Sequence, residues 1–390
     1  MPGMENLPVP STSILEAVAH ATRLREGPSG VSALLRAVYR AGSLRLQDAA
    51  REARLPLPVA SAVRRELEKV GLLERKHGLA LTPQGRSFAE QELGLAARLE
   101  ASCPTCVGTG IVLPDSVQPT LERLSAILAT APDTDVTRDQ TPCTPATALR
   151  RALLMLSSGA LEGRRVLLLG DDDSVSLAIG LLGLALKREA LTRRLTVLDA
   201  DPRWLSFLEE AGRREGFSIE TVHHDLRQPL PPALQRAFDV VETDPPYTLP
   251  GARLFLARGR EAFDSAQEGL CFFSFAHWPA PQMLELQAVF TELGLAARSV
   301  RPHFNQYVGA AVLGHAGQLI ELVHVPTSVA DLPEWVGPLY TAEVNPRSRV
   351  YVCARCGSET VLGENGAPDT IELLKAQGCR NCGGQTFRRR

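Results

Sequence analysis

A chain of 390 residues with a formal net charge of −2 has room for two or three domains, each with a sizeable core. Its 44% apolar and 22% charged content is that of a soluble globular protein, and the near-neutral balance excludes binding to nucleic acid or membrane by bulk charge. The start, MPGMENLPVPSTS, lacks the charged opening and apolar run of a signal peptide. No stretch of about 18 uninterrupted apolar residues follows, so a cytoplasmic protein with no membrane partner is expected.

In chain order, residues 1–13 read as a tail and Val31–Arg40 as a helix. Ser43 is placed to cap the next helix, LQDAAREA, and a Leu-Pro-Leu-Pro break follows it. Val59–Val70 is predicted as an amphipathic helix, with Val59, Val63, Leu67 and Val70 at helical spacing. GLLERKHGLALTPQG predicts two short strands about a turn at His77-Gly78, and a last helix runs from Gln84 to about Glu100. Three helices and a hairpin make a winged helix over residues 1–100. Residues 101–141 read as a connector punctuated by Pro and Gly, in which Cys103-Pro-Thr-Cys106 is taken as two thiols in a tight turn.

From residue 142 strands and helices alternate. Helix Thr147–Ser157 precedes strand RRVLLLG; helix Val175–Leu186 precedes LTVLDA; helix Leu205–Gly216 precedes SIETVHHD and then FDVVETDPPY. Helix Leu254–Ala266, strand LCFFSFA and helix Met283–Leu293 follow, and ARSVRPHFNQY with AAVLGHAGQLIELVHV predicts a closing hairpin. Such alternation implies an α/β domain over residues 142–345, a parallel sheet with helices on both faces. Residues 346–390 form a small Cys-rich unit.

Four motifs point to chemistry. The first strand of the α/β domain ends in Gly170-Asp171-Asp172-Asp173, where ligands of open α/β sheets sit. Glycines normally fill such a turn; three acids repel one another and any anion, so the turn is suited to a cationic ligand. The competing reading is a helix cap with an acidic first turn. Asp199 and Asp201 end the second strand, where an acid can hold a ribose hydroxyl, and Asp225 ends the third, where adenine is often met. The fourth strand ends in Asp244-Pro245-Pro246-Tyr247: two prolines hold the loop extended, the Asp carboxylate and backbone carbonyls offer acceptors to an amine, and Tyr247 offers an aromatic face to a cation. His277, His303, Asn305 and Tyr307 stand where they can line the same pocket. Finally, Cys353-x-x-Cys356 and Cys379-x-x-Cys382, with 22 residues between the pairs, predict a structural zinc ribbon with no open position for catalysis.

The acidic GDDD turn at 170–173, the DPPY loop at 244–247, and a winged helix followed by CPTC-x-G-x-G together resemble the branched-chain polyamine synthases, the N4-bis(aminopropyl)spermidine synthase family. The likeness spans roughly residues 30–325. It implies a class I methyltransferase-like Rossmann domain with an N-terminal winged helix. It also implies aminopropyl transfer from decarboxylated S-adenosylmethionine to the central secondary amine of spermidine or a related polyamine, with methylthioadenosine released. On that resemblance Asp173, Asp244 and Tyr247 are catalytic; Gly170, Asp171, Asp172, Asp199, Asp201 and Asp225 hold the donor; and Asp244, Pro245, Pro246 and Tyr247 hold the acceptor. A homodimer is expected. The alternative is an amino-methyltransferase acting on nucleic acid or protein, for which DPPY and the winged helix speak. Against it, Arg64, Arg65 and Lys69 of the candidate recognition helix are balanced by Glu66 and Glu68, so no nucleic-acid partner is expected.

Overall fold

Apolar residues three or four positions apart make the amino-terminal segment helical, and α1 (Ser11–Ala21), α2 (Gly27–Ala41), α3 (Leu46–Glu52), α4 (Leu57–Lys69) and α5 (Pro83–Gln91) result in the computed structural model. The structure describes residues 11–75, 78–95, 105–106, 108–188, 190–264, 267–308, 316–326, 333–344, 350–362, 368 and 371–389. They fall into two units, Met1–Gly337 and Pro338–Arg390.

The helix expected at 31–40 is α2, which starts four residues earlier because Pro28 fits the first turn, where its missing N–H costs nothing. Helix α1 was not anticipated. Ser43 does not cap α3. It joins Leu44 in strand β1 (Ser43–Leu44), paired with Ala80 and Leu79, while Arg45 occupies the cap position with its side chain bonded to Asp48 and not to a helix N–H. The hairpin is present as β2 (Leu73–Arg75) and β3 (Leu79–Leu81); its turn residues Lys76 and His77 lie outside the described residues, as does Cys103. Val63 and Leu67 of α4 are fully buried, but Val70 is 43% exposed because the helix has ended before it. Helix α5 stops at Gln91, short of the expected Glu100, in a turn that leads to Gly94 at φ 64°.

In the α/β region, helix α6 (Gln118–Leu128) of the connector and helix α7 (Pro145–Ser157) precede strand β4 (Arg165–Leu169). Then come α8 (Val175–Ala185), β5 (Arg194–Asp199), α9 (Pro202–Glu215), β6 (Glu220–His223), β7 (Val240–Thr243), α10 (Leu249–Ala262), β8 (Gly269–Phe275), α11 (Ala280–Glu292), β9 (Leu295–Gln306) and β10 (Ala316–His324). Helix α10 starts five residues before the predicted Leu254, because Thr248 caps it by accepting the Gly251 N–H. The seven strands lie in the order β6-β5-β4-β7-β8-β10-β9. Strands β4 to β8 are parallel, and β10 and β9 form the expected antiparallel closing hairpin. Pro302 is tolerated in β9 because that strand is an edge.

Two apolar clusters cover the two faces of the sheet, one centred on α7 and α8 and the other on α10 and α11. Burial on both faces explains why β4 and β8 read as near-continuous apolar runs. Strand order reverses between β4 and β7, so the carboxyl ends of these two strands flank the crevice where such sheets bind ligands. GDDD leaves β4 and DPPY leaves β7. The topology therefore brings together two motifs more than seventy positions apart in the chain.

The second unit contains α12 (Thr341–Val344), β11 (Val350–Cys353), β12 (Glu359–Val361), α13 (Ile371–Gln377) and β13 (Phe387–Arg389), with β11 central in a three-stranded antiparallel sheet.

Candidate active site

Gly170 leaves β4 at φ 73°, a left-handed turn that favours glycine and aims the following acids across the sheet edge. The three aspartates then take different roles. Asp171 is buried, and its two oxygens accept the N–H groups of Val175 (2.7 Å) and Ser176 (3.1 Å). Its two accepted N–H groups make it the cap of α8, beside the place expected for the donor. Burial pushes its carboxyl up to about 7 despite those two bonds. Asp172 is half-buried and accepts the Thr141 N–H at 3.0 Å; burial first, then Asp173, Asp199 and Asp244, raise it well above the ordinary range. Asp173 is buried and accepts the Cys143 N–H on one oxygen and the Arg151 guanidinium on the other, at 2.5 Å.

Arg151, on α7, is the hub of the site and is only 1% exposed. It donates to Asp173, to Glu242 at 3.2 Å, to Asp244 at 2.8 Å and to Asn305 at 2.9 Å. One guanidinium thus faces three carboxylates. A fork of donors in fixed geometry is what such a junction requires. The surplus of negative charge shows in the neighbours: burial first, and the nearby acids after it, raise Glu242 well above its ordinary value.

Asp244 is held differently on its two oxygens. Oδ2 accepts from Arg151 and from the Tyr307 hydroxyl at 2.7 Å. Oδ1 is buried with no hydrogen-bond partner among the described residues. Burial and the adjacent Asp173 outweigh the pull of Arg151, so the carboxyl is pushed up to about 7. Tyr247 and Tyr307 bond hydroxyl to hydroxyl, which links Tyr247 through Tyr307 to Asp244. Tyr247 packs edge-on against Phe275 at 5.2 Å, and Phe275 against Trp278 at 4.7 Å, a row of aromatic rings beside the acids. Pro245 and Pro246 are buried; the Pro246 carbonyl accepts the Thr248 N–H at 2.7 Å, so it serves the turn into α10.

Of the acids on the next two strands, Asp199 is half-buried and accepts the N–H groups of Asp201 (2.7 Å) and Asp171 (3.3 Å), at the sheet edge beside Gly170. Asp201 is 2% exposed, caps α9 by accepting the Arg203 N–H, and is bridged by the Arg203 side chain and Gln140. Those bonds, led by Arg203, lower it to about 2. Asp225 follows β6 with its side chain 51% exposed, accepting the Arg227 N–H. His277 and His303 contact each other, with ring centroids 4.9 Å apart, and do not join the acid cluster; Asn305, from the same strand as His303, and Tyr307, just after that strand, do.

Sequence reasoning missed Arg151, Glu242, Cys143 and Thr141. Arg151 left one trace: a cation on the apolar stripe Ala148, Ala152, Met155 of a helix, which is rarely left unpaired. The cap made by Asp171 carries a prediction. Asp171→Ala lowers stability by about 1 kcal/mol through the lost cap while leaving the donor KM within about twofold. Thermal melting and donor titration check this; a tenfold rise in donor KM at unchanged stability would assign Asp171 to the donor site.

In the smaller unit the four thiolates of Cys353, Cys356, Cys379 and Cys382 lie within 4.8 Å of one another, with two Sγ–Sγ distances of 3.6 Å. Tetrahedral zinc with bonds of about 2.3 Å places sulfurs about 3.8 Å apart, so the residues fit the ion. Gly357 and Gly383, at φ 73° and 70°, turn the chain after each pair so that backbone wraps the sulfurs. Cys353→Ser lowers bound zinc, measured by atomic emission, from about one equivalent per chain to well below half. Full zinc content in the variant would mean the metal sits elsewhere.

A surface cleft of about 780 Å³ lies at the opposite, amino ends of β5 and β6, lined by Arg193, Arg194 and Ser218; none of the motif residues reaches it.

Residues 119–328 match the family described as branched-chain polyamine synthase A C-terminal domain. The chain is 36% identical over 72% of its length to the N(4)-bis(aminopropyl)spermidine synthase of Thermus thermophilus, and covers 79% of that protein. It is 35% identical over 96% of its length to an uncharacterised protein of Methanocaldococcus jannaschii, covering 92% of it. Among solved structures, the branched-chain polyamine synthase of Thermus thermophilus superposes with a TM-score of 0.67 at 29% identity, over 85% of this chain and 97% of that one. Its match over more than half the chain, and identity above 30% to a relative it largely covers, make this chain a member of the branched-chain polyamine synthase family.

Proposed function

We propose that this chain transfers an aminopropyl group from decarboxylated S-adenosylmethionine to the central secondary amine of spermidine, giving a branched polyamine and 5′-methylthioadenosine. The observation that carries the reading is the buried, unpartnered Oδ1 of Asp244, raised to about 7, at the switch point beside the GDDD acids. The Thermus relative was solved with N4-aminopropylspermidine and 5′-methylthioadenosine, the product and by-product of such a transfer.

The chemistry follows from the charges. The acceptor nitrogen must be neutral to attack, so its ammonium proton passes to Asp244 Oδ1. The nitrogen lone pair then forms a bond to the propyl carbon on sulfur; the C–S bond breaks, and its electrons leave a neutral thioether. Asp172, Asp173 and Glu242 offset the positive charge of donor and acceptor, and the row of rings at Tyr247, Phe275 and Trp278 faces cationic amine. A donor that kept its carboxylate would meet the same acids as repulsion. Asp199 and Asp225 remain the proposed contacts to the donor nucleoside; Asp173 and Asp244 are proposed as a coupled pair in which Asp244 takes the proton and Asp173 fixes Arg151.

Residues 1–100 are read here as a winged helix serving as dimer contact or cover. Arg64 is bonded to Glu68 at 2.8 Å and Lys69 to Glu66 at 2.7 Å, which supports a role other than phosphate binding. No helix among the described residues is long and apolar enough to cross a membrane. A cytoplasmic homodimer completes the proposal.

The test is donor competition. Purified protein is given spermidine with either decarboxylated or intact S-adenosylmethionine, and products are read by mass spectrometry. Mass gains of one or two aminopropyl units only with the decarboxylated donor, with 5′-methylthioadenosine, are expected. Methyl transfer to nucleic acid or protein from the intact donor, and no aminopropyl transfer, would overturn the reading.

A further inference from the structure

A second pocket, of about 290 Å³, lies behind the acid cluster and has the opposite charge. Its walls come from three parts of one unit: Arg51 of α3, Cys106 and Ile111 of the connector, and Arg150, His303 and Gln306 of α7 and β9. Three nitrogens in it, Arg51 Nε, Arg150 Nε and His303 Nδ1, are buried without a hydrogen-bond partner. No carboxylate is among the described residues that line it. Arg51 reaches Asp48 only at 3.7 Å. Arg150 donates one Nη to Thr147 and has no acidic partner among the described residues, and burial lowers its guanidinium from its ordinary value. Burial, with Arg54 and Arg51 close by, holds the His303 imidazole down at about 4. His303 also sits at φ 58°, an uncommon conformation for a non-glycine residue, which surrounding structure must hold in place.

The buried Nε–H groups of Arg51 and Arg150 have no hydrogen-bond acceptor, which is costly, and such donors persist where something else completes them; the neutral His303 ring can add an Nδ1–H. A polyamine cannot do so here, since its charge is of the wrong sign. We propose that this pocket binds a phosphate-class oxyanion, free or as a small phosphomonoester, through the Arg51 and Arg150 guanidinium groups and the His303 ring. A tetrahedral dianion takes donors arriving from separate directions, and the volume is about ten times a water molecule's share of the liquid, enough for one such group. The apolar wall at Ile111, Val112 and Leu113 has room for a small organic substituent. Because α7 turns Arg150 to this pocket and Arg151 to the acids, and β9 turns His303 here and Asn305 to Arg151, a bound anion would brace both elements that hold the acid cluster.

The experiment is titration of the full chain with sodium phosphate against sodium chloride at matched ionic strength, read by thermal melting and calorimetry, with glycerol phosphate in parallel. A saturable rise in melting temperature specific to phosphate is expected. Arg51→Gln and Arg150→Gln should each weaken it about tenfold while melting like the parent when phosphate is absent. Tighter binding of glycerol phosphate than of inorganic phosphate would identify an organic ligand; equal or weaker binding would identify the free ion. An absence of phosphate-specific saturation, or unchanged affinity in the double variant, would overturn the proposal.

Discussion

Asp244→Asn lowers kcat by about 10²–10⁴-fold, because it removes the buried carboxylate oxygen proposed to take the proton and leaves an amide that cannot. The pH profile distinguishes this from general damage. Asp244 stands at about 7, so its ionised, proton-accepting form grows as pH rises through that value, and kcat/KM of the parent should rise with it. The variant should lose this limb while keeping its melting temperature at low pH. Asp173→Asn should behave differently. Asp173 is one of the causes that raise Asp244, so its removal moves the limb to lower pH and reduces kcat by loosening Arg151. If the limb vanished with Asp173→Asn and survived Asp244→Asn, the proton would belong to Asp173.

Arg151→Gln should be the most destabilising single change in the site, at about 3–5 kcal/mol near neutral pH, because it strands three buried carboxylates without their cation. The cost depends on pH. Glu242 and Asp244 are already raised; acids raised on folding contribute stability that is full below their unfolded values and lost as pH rises through the folded ones. Without Arg151 those folded values rise further, so the deficit should be larger at pH 8 than at pH 5. Denaturant unfolding at both pH values measures it. Arg151→Lys keeps the charge but not the fork, and should fall between parent and Gln variant. A Gln variant as stable as the parent at pH 8 would show that Arg151 is not the counter-charge of the cluster.

The sequence by itself determined the architecture of the α/β region and the motifs on it. Strand runs such as RVLLL and the helices between them follow from local periodicity, and a motif at a strand end falls in the crevice by topology alone. The four-cysteine cluster was likewise legible, since ligand type and spacing are local properties. The aspartates were less so. Asp171, Asp172 and Asp173 are adjacent in sequence, yet one caps a helix, one bonds a loop N–H and one pairs with a buried arginine; their identical chemistry gave no basis to separate them. Asp201 was read as a ligand contact, and its bond to the Arg203 N–H also makes it a cap; the same residue type suits both places. Only the tertiary structure brought Arg151 and Tyr307 to Asp244, from positions far apart in the chain, and only burial together with Asp173 set that carboxyl near 7. Desolvation and the sum of surrounding charges depend on what lies within a few ångströms in space, and linear spacing does not carry that information.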